Sequence, residues 1–291
     1  MFSICIPVYN YDARPLVYEL RRQALELKDA TVQLLVYDDG SQPRFRELNR
    51  ELGKLSEVEY VEQGVNIGRA RIRNRMAGRA QHDTLIFVDV DSSPNLNYLS
   101  NYLQRQETTV VVGGTTYAPL PPADPALRLH WHYGRKREAV PPTSRLRRPY
   151  LHFQSNNFRV DRRFFLDHPF PEIYGYGHED TLWGQLLAPA RTAIEYIDNP
   201  VVHLGLDPAD RFLVKQRRAV ENLKSLRHAH PTLSTRLTKF VDRYPRMVQL
   251  AELVPERVLL DYVTRTHNLT ALDLLKVKWW VSPAVPARDY L

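Results

Sequence analysis

Four short segments with the character of strands alternate with longer segments that have the spacing of amphipathic helices, and this alternation constrains the fold more than any other feature. The predicted strands occupy residues 2–8, 31–37, 58–62 and 85–88. The segments between them, with apolar positions at helical spacing, are 14–28, 42–55 and 66–80. Buried strands that alternate with helices predict a parallel sheet covered by helices on both faces.

Polar residues follow three of these predicted strands, at the point where each strand ends. They occupy positions 9–10, 38–41 and 89–91. Residues i and i+2 of a strand point to the same side, so Asp89 and Asp91 can face one divalent cation. Ligands of such folds bind at the carboxyl ends of the strands, which favours a metal site here. Asp is also common in turns, so the tripeptide alone does not identify one.

Composition limits the compartment and the partners. With a single cysteine, Cys5, a disulfide framework is excluded and a reducing compartment is expected. The N-terminus has no basic region before its apolar residues, and no apolar segment approaches the roughly 20 residues of a spanning helix. We expect a cytoplasmic protein that is at most peripheral to the inner face of a membrane. The net charge of +7 favours an anionic partner: a nucleic acid, a membrane surface or a phosphorylated substrate.

In the second half of the chain the residue pattern changes twice, at residue 118 and after Gly205. Residues 118–150 contain many prolines and two basic clusters, which predicts a long irregular segment. Further strands are predicted at 109–112, 153–160, 193–197 and 201–204, and helices at 95–106, 161–167 and 181–187. After Gly205 the pattern becomes helical, with segments at 208–229, 232–252, 255–266 and 270–281. We therefore divide the chain into a domain of residues 1–205 and a helical extension of residues 206–291.

Several segments together resemble the family 2 glycosyltransferases, whose fold is called GT-A. The resemblance is carried, in order, by residues 3–10 (SICIPVYN), 36–41 (VYDDGS), 66–68 (NIG) with 73–74 (RN), and 89–91 (DVD). It extends over about residues 2–205 and implies a Rossmann-like α/β sheet with helices on both faces. A second stretch, from Asn156 through residues 174–180 (YGYGHED), resembles galactosyl- and N-acetylgalactosaminyltransferases, including chondroitin-polymerase-type enzymes.

The first resemblance implies a binding site for a nucleotide sugar. It assigns Asp39 to the uracil base and Pro7 and Tyr9 to the wall around base and ribose, and Asp89 would contact the ribose. Arg73 would lie near the pyrophosphate, although a surface role among its neighbouring arginines is an equally good interpretation. The remaining predicted nucleotide-sugar contacts are Asn10, Asn66 and Gly68.

Asp91 is predicted as the main metal ligand, with Asp89 approaching the same ion. A lone His between apolar residues is more often a core residue than a ligand, but this family often takes a third ligand from a His after the acidic segment. On that resemblance His203 is predicted as the third ligand. An imidazole favours Mn²⁺ over Mg²⁺ as the cofactor.

The second resemblance implies the catalytic and acceptor groups. Asp180 would be the general base that deprotonates the acceptor hydroxyl, and Glu179 would position a sugar. Helix capping is the competing explanation for two carboxylates at the start of a helix. The predicted contacts with acceptor or donor sugar are Asn156, Tyr176, Gly177, His178 and Trp183.

The last predicted helix, 270–281, carries Trp279 and Trp280 between lysines. Packing against its own domain is the simpler interpretation. Insertion at the surface of an anionic membrane, suited to a lipid-linked acceptor, is the alternative.

The sequence thus predicts a metal-dependent inverting glycosyltransferase. It would move a hexose or N-acetylhexosamine from a UDP-sugar to a polysaccharide or lipid-linked oligosaccharide. A sugar-1-phosphate nucleotidylyltransferase is disfavoured, because no glycine-rich loop follows the first strand. A non-catalytic sugar-nucleotide-binding protein and a basic nucleic-acid-binding protein are the alternatives, although nucleic acid is not the expected partner.

Overall fold

The computed structural model describes residues 1–27, 30–105, 108–173 and 175–283. Lys28 and Gln106 at predicted helix ends, and Tyr174 of the glycine-rich stretch, lie outside the described residues.

The strands are β1 (Phe2–Val8), β2 (Val32–Asp38), β3 (Val58–Glu62), β4 (Thr84–Val88), β5 (Ser92–Ser93), β6 (Val110–Val112), β7 (Thr115–Thr116), β8 (Asn157–Asp161), β9 (Ile194–Tyr196) and β10 (Val201–His203). The α-helices are α1 (Arg14–Glu26), α2 (Pro43–Asn49), α3 (Arg69–Arg79), α4 (Tyr98–Leu103), α5 (Arg128–Tyr133), α6 (Pro142–Arg145), α7 (Arg162–Asp167), α8 (Glu179–Leu186), α9 (Ala209–Ala229), α10 (Arg236–Arg243), α11 (Pro245–Leu250), α12 (Glu256–Thr266) and α13 (Leu269–Val281).

The main sheet has the strand order β3-β2-β1-β4-β8-β6-β9. Strands β3, β2, β1 and β4 are parallel, as predicted. Strand β8, for which no direction was predicted, is antiparallel to both β4 and β6, so the complete sheet is mixed. An apolar run reads the same in either direction, which is why the sequence does not reveal the reversal. The predicted α/β class with helices around a large sheet is confirmed.

Alternate residues of the central strands bury opposite faces of this sheet. Ile4 and Ile6 pack in a cluster with α1 and α4, whereas Cys5 packs in a second cluster with α3 and Phe87. This period of two, with apolar residues on both faces, is what a fully covered strand requires. The apolar run that predicted β1 therefore corresponds to a strand that is buried on both faces of the sheet.

A smaller sheet has the order β5-β10-β7. Strand β10 is antiparallel to β5, with His203 opposite Ser92, and parallel to β7. The backbone N–H of Leu204 also donates to the carbonyl of Asp91 at 2.8 Å. This pairing joins the chain just after β4 to the chain near residue 203, which are far apart in sequence.

The chain forms two compact units. The first contains residues 1–118, 139–173 and 179–205 and holds both sheets. The second contains residues 119–138, 175–178 and 206–283, and its core is built from α5, α9, α12 and α13. Gly205 ends the last segment of the first unit, but the second unit also takes residues 119–138 and 175–178, which were predicted within the domain of residues 1–205. Independent folding of residues 206–291 stays a prediction.

Two predictions need correction, namely the irregular segment at residues 118–150 and the single helix at residues 232–252. Residues 118–150 are not irregular: they form α5, α6, a π-helix at Gly134–Glu138 and 3₁₀ turns at Pro125–Leu127 and Pro149–Leu151. Prolines fit at the first positions of such short helices, where their missing N–H costs no hydrogen bond. The segment predicted as one helix at 232–252 is divided into α10, α11 and a 3₁₀ turn, because Pro245 begins a new helix.

Helix α13 packs inside its own unit. Leu272, Leu275 and Trp279 are buried in the core shared with α9 and α12. This burial supports the interpretation that α13 packs against its own unit, and the interfacial alternative stays a prediction. No helix in the described part of the chain is both long enough and apolar enough to cross a membrane.

A buried hydrogen-bond network fixes β8 within the main sheet. The Asn157 Oδ1 atom accepts from the hydroxyls of Tyr98 and Tyr102 at 2.9 and 2.6 Å. Its Nδ2 donates to the carbonyls of Gly114 and Asn199 at 2.8 and 2.9 Å. A fully satisfied network of this kind holds one register, because each partner would be left buried and unpaired in another.

Replacement of Asn157 by leucine is expected to destabilise the chain by about 3–5 kcal/mol, because two tyrosine hydroxyls and the Asn199 carbonyl lose the bond to Asn157. The Gly114 carbonyl keeps the N–H of Val201 as a donor. Urea denaturation measures this free energy of unfolding. Asn97→Ala is the control, since Asn97 is exposed. A loss below about 1 kcal/mol for Asn157→Leu would show that the network does not hold the sheet.

Candidate active site

Asp39 ties the end of β2 to the start of α3. Its two carboxylate oxygens accept from the backbone N–H groups of Ile67 and Gly68 at 2.7 and 3.0 Å. Gly40 lies so close to this second segment that a Cβ there would stand 2.6 Å from the nitrogen of Asn66. Burial raises the pKa of Asp39, although the two N–H donors act in the opposite direction. Asp39 is therefore a structural clamp whose oxygens keep further lone pairs for a ligand.

The end of β1 lies beside this clamp. Asn10 has a left-handed backbone with φ of +52°, and its N–H donates to the hydroxyl of Ser41 at 2.7 Å. The Asn10 Oδ1 atom accepts from the backbone of Gln42 at 2.8 Å. Tyr9 is exposed and Pro7 is partly buried at the same strand end. The predicted contacts after β1 and β2 are thus brought together, with Tyr9 open to solvent.

Arg73 and Asp89 form an ion pair between α3 and the end of β4. Arg73 is only 2% exposed, and its Nη1 also donates to the carbonyl of Arg69 at 3.0 Å. Its Nε is buried without a hydrogen-bond partner among the described residues. A buried guanidinium is costly unless it is paired, so Asp89 is required for Arg73 to be buried here. The surface interpretation of Arg73 is wrong.

Asp91 lies against His203. The distance between Asp91 Oδ1 and His203 Nδ1 is 3.6 Å, and the ring of Tyr117 stands edge-on to the imidazole at 5.5 Å. A Cβ on Gly205 would stand 2.1 Å from Asp91 Oδ2, so only glycine fits beside this carboxylate. Burial raises the pKa of Asp91, but the hydrogen bond and charge of His203 and the charge of Arg69 outweigh it and leave that pKa lowered.

The predicted metal ligands converge only in part. Within the described part of the chain, no three His, Cys, Asp or Glu side chains are arranged to hold a metal ion. Asp91 and His203 lie together, whereas Asp89 is paired with Arg73. Two ligands about 2.1 Å from one ion and at right angles are roughly 3 Å apart, so the pair suits a shared ion. A carboxylate and an imidazole are donors that fit Mn²⁺.

Asp180 lies in the first turn of α8, next to the buried Glu179. Its Oδ1 accepts from the backbone N–H of Thr181 at 2.6 Å. Burial, followed by the charge of Glu179, raises the pKa of Asp180 to about 7, while the Thr181 hydrogen bonds and the charge of Arg73 act in the opposite direction. A carboxylate that titrates near neutral pH is suited to general-base catalysis. Helix capping remains the competing explanation for this carboxylate at the start of α8.

Two of the predicted sugar contacts, Asn156 and Trp183, have surroundings that differ from each other. The backbone carbonyl of Asn156 accepts from the N–H of Asp89 at 3.0 Å, which places Asn156 beside the strand-end carboxylates. Trp183 is only 1% exposed. Its ring is tilted against that of Phe153, with 4.6 Å between the ring centroids, and its Nε1–H donates to the carbonyl of His168 at 2.7 Å. We replace the predicted sugar contact of Trp183 with a core-packing role. Amphipathic spacing in α8 could have signalled this burial.

The remaining predicted contacts, Tyr176, Gly177 and His178, form a partly exposed loop that belongs to the second unit. Gly177 and His178 have φ of +85° and +69°. The left-handed region is readily accessible to glycine but costs a residue such as histidine roughly 1–2 kcal/mol. The backbone of this loop is therefore held in shape by its surroundings.

Several residues of this site escaped sequence reasoning. Gly205 was predicted only as a domain boundary, although it alone permits the close approach to Asp91. Tyr117 against His203 and Tyr11 near Asp91 were also missed; burial and then the charges of Asp91 and Asp12 raise the pKa of Tyr11. A glycine two residues after a candidate histidine ligand was the one available signal.

Comparison with protein families identifies one match. A family model described as Glycosyl transferase family 2 matches residues 3–168, which is more than half of the chain. The matched span contains Asp39, Arg73, Asp89 and Asp91 and ends before Asp180. No curated protein matches the chain.

Comparison with solved structures finds similar folds at low sequence identity. The S. aureus TarS fragment 1–349 is 18% identical, with 95% of this chain and 90% of that chain covered and a TM-score of 0.50. The mannosyltransferase PcManGT from Pyrobaculum calidifontis, in complex with GDP-Man and Mn²⁺, is 16% identical over 96% and 87% of the two chains, with a TM-score of 0.58. Glucosyl-3-phosphoglycerate synthase from Mycobacterium tuberculosis, in complex with Mn²⁺, UDP and glucosyl-3-phosphoglycerate, is 20% identical over 77% and 79%, with a TM-score of 0.52. At these identities the likeness shows the fold alone.

The raised pKa of Asp180 predicts a pH-dependent stability. The carboxyl group stays protonated up to about pH 7 in the folded chain, compared with about pH 4 when unfolded. Its stabilising contribution is therefore fully present below about pH 4 and is lost as the pH rises through about 7. Asp180→Asn, which is always neutral, is expected to raise Tm by several degrees near pH 8.5 and by much less near pH 5.

Differential scanning fluorimetry at both pH values measures this difference. Asp83→Asn is the matched control, because Asp83 is exposed and its replacement removes an equal charge. A Tm difference between Asp180→Asn and the wild type that is the same at both pH values would contradict a raised pKa at Asp180.

Proposed function

Because this chain belongs to glycosyl transferase family 2, we propose that it is a metal-dependent, inverting glycosyltransferase. It moves a hexose or N-acetylhexosamine from a UDP-sugar to a hydroxyl of a polysaccharide or lipid-linked oligosaccharide. One observation carries the proposal: the buried Arg73 pairs with Asp89 at the strand ends, and its charge also acts on Asp180. The guanidinium of Arg73 thus interacts with Asp89, on the donor side, and its charge lowers the pKa of Asp180, the candidate base, against the larger effect of burial.

The donor would bind at the ends of β1, β2 and β4. Tyr9, Asn10 and Pro7 surround the base and ribose, with Asp39 offering its spare lone pairs to the base. Asn66 and Gly68, in the segment that Asp39 clamps, complete this wall. Arg73 acts indirectly by holding Asp89 toward the ribose.

Asp91 and His203 would hold the divalent ion, with Asp89 approaching it from β4. The structures of the P. calidifontis mannosyltransferase and the M. tuberculosis synthase both contain Mn²⁺ together with a nucleotide, which supports Mn²⁺ as the cofactor and Mg²⁺ as the alternative. When bound, the ion supplies positive charge that stabilises the departing nucleoside diphosphate. Those two structures hold GDP-Man and UDP respectively, so the preference for UDP rests on the sequence resemblance.

Asp180 would take the proton of the acceptor hydroxyl. With one base on the acceptor side, the hydroxyl oxygen attacks the anomeric carbon as its bond to the phosphate breaks, and the configuration inverts. Burial, followed by the charge of Glu179, raises the pKa of Asp180 to about 7, which suits a base that works near neutral pH. Asn156, Tyr176, Gly177 and His178 would contact the sugars.

The helical extension offers a surface for an anionic membrane. Residues 206–291 contain ten Arg and five Lys against six Asp and three Glu, a net charge of +6 out of the total +7. Tyr244, Met247, Leu250 and Leu253, spaced three residues apart along α11 and its following turn, are all exposed. Exposed apolar side chains among cations suit a peripheral contact with anionic lipid, where a lipid-linked acceptor would reside.

The reaction is tested by screening UDP- and GDP-sugars for Mn²⁺-dependent release of the nucleoside diphosphate. Release from a UDP-sugar is expected in the wild type. Asp180→Asn should lower kcat about 10²–10⁴-fold, as expected for loss of a general base. Asp91→Ala should raise the Mn²⁺ concentration needed for half-maximal activity.

Asp83→Asn is expected to retain wild-type turnover and controls for the loss of one carboxylate. Binding of UDP without release from any donor would favour the non-catalytic sugar-nucleotide binder. Salt-sensitive RNA or DNA affinity that survives Asp91→Ala would instead favour the nucleic-acid-binding alternative.

The membrane contact is tested by flotation with vesicles of phosphatidylcholine and phosphatidylserine. Wild-type protein is expected to float with the anionic vesicles, and the triple variant Met247→Ser, Leu250→Ser, Leu253→Ser is expected to remain in the soluble fraction. Leu120→Ser is the control, because Leu120 is equally exposed elsewhere in the second unit. Equal flotation of the triple variant and the wild type would exclude this surface.

A further inference from the structure

Helix α9 contains a buried amide that the proposed reaction does not yet use. Asn222 is 8% exposed and lies on α9 next to the buried apolar residues Leu223 and Leu226. Burial of an amide is unfavourable unless it is hydrogen-bonded, so a residue that served packing alone would be apolar. The position of Asn222 therefore requires a specific partner.

That partner is the loop of residues 175–178, which lies in the same unit as α9. The Nδ2 of Asn222 donates to the backbone carbonyl of Gly177. A Cβ on Gly175 would stand 2.1 Å from Asn222 Oδ1 and 2.4 Å from its Cγ, so glycine is required for this approach. A Cβ on Gly177 would stand 3.2 Å from the Cβ of Ala219, one turn earlier on α9.

The loop needs this external support. Gly177 and His178 both have left-handed backbones, a conformation that is unfavourable for His178. Strained backbone persists only where surrounding contacts fix it. Asn222 and Ala219 supply such contacts on the side of α9, and the chain continues directly from His178 to Glu179 and Asp180.

We infer that Asn222 is a positioning residue, which fixes the 175–178 loop for its contact with a sugar during attack by the acceptor hydroxyl. This inference rests on the proposed function, since Tyr176, Gly177 and His178 are taken as sugar contacts. It gives residues 206–291 a part in the reaction that lies outside the span matched by the family model. Asn222 itself touches no reacting atom.

Asn222→Asp tests this role with almost no change of shape. A carboxylate has the size of the amide but cannot donate to the Gly177 carbonyl, so the loop should lose its anchor. In hydrogen exchange followed by mass spectrometry, the peptide containing residues 175–178 should exchange at least about tenfold faster than in the wild type. Ser225→Ala, an exposed change on the same helix, should leave that exchange unchanged.

The kinetic readout separates positioning from general loss of stability. For Asn222→Asp, assayed well below its Tm, kcat for release of the nucleoside diphosphate should fall about 10–100-fold while the KM for the donor stays unchanged. A purely structural role would change Tm and leave kcat, measured well below that Tm, in place.

A second pair of variants keeps the test decisive where Asn222→Asp folds poorly. Gly175→Ala should be damaging in the wild type, because the added Cβ meets Oδ1 and Cγ of Asn222. In an Asn222→Ala background those two atoms are absent, so Gly175→Ala should cost clearly less. This non-additivity is the signature of a direct contact.

Each outcome decides the inference. Unchanged loop exchange in Asn222→Asp, or additive effects of the two alanine variants, would overturn the anchoring of the loop. Faster exchange with wild-type kcat would overturn the positioning role. A wild-type chain that releases no nucleoside diphosphate from any donor would instead overturn the proposed function and the positioning role of Asn222, while the exchange data would still decide the anchoring.

Discussion

The buried ion pair between Arg73 and Asp89 is the interaction on which the rest of the candidate site depends. A guanidinium that is 98% removed from solvent must have a carboxylate partner, and Asp89 at the end of β4 is the one it pairs with. The pair fixes α3 against the sheet and sets the direction of the Asp89 side chain. The charge of Arg73 also lowers the proton affinity of Asp180, against the larger effects of burial and Glu179. One arginine thereby influences both halves of the proposed reaction.

Around this pair, the two sheets bring together residues that are far apart in the chain. The main sheet aligns the ends of β1, β2 and β4, and the Asn157 network fixes the antiparallel β8 beside β4. The small sheet places His203 opposite Ser92 and therefore beside Asp91. Backbone pairing, which does not depend on any ligand, thus determines which side chains can share a metal ion.

The sequence allowed prediction of those features that have a local signature. Apolar runs and helical spacing gave the strands and helices of the α/β fold, and the order of the short motifs gave the family. Pairing direction and burial depend on the whole chain, so the antiparallel direction of β8 was not predicted and the sugar contact of Trp183 was predicted wrongly. Asn222 has no local signature, because it matters only through a neighbour distant in sequence. For Gly205 the one local signal is its place two residues after His203. The roles of the predicted site residues stay proposals.

The stereochemistry of transfer tests the central claim, a single displacement with Asp180 as the base, most directly. An α-linked UDP-sugar is incubated with excess enzyme and Mn²⁺, with water as the acceptor, and the released sugar is followed by proton NMR before it mutarotates. The account predicts that the β-anomer appears first in the wild type and that its appearance is strongly slowed in Asp180→Asn. Initial release of the α-anomer would contradict a single displacement and the assignment of Asp180 as its base.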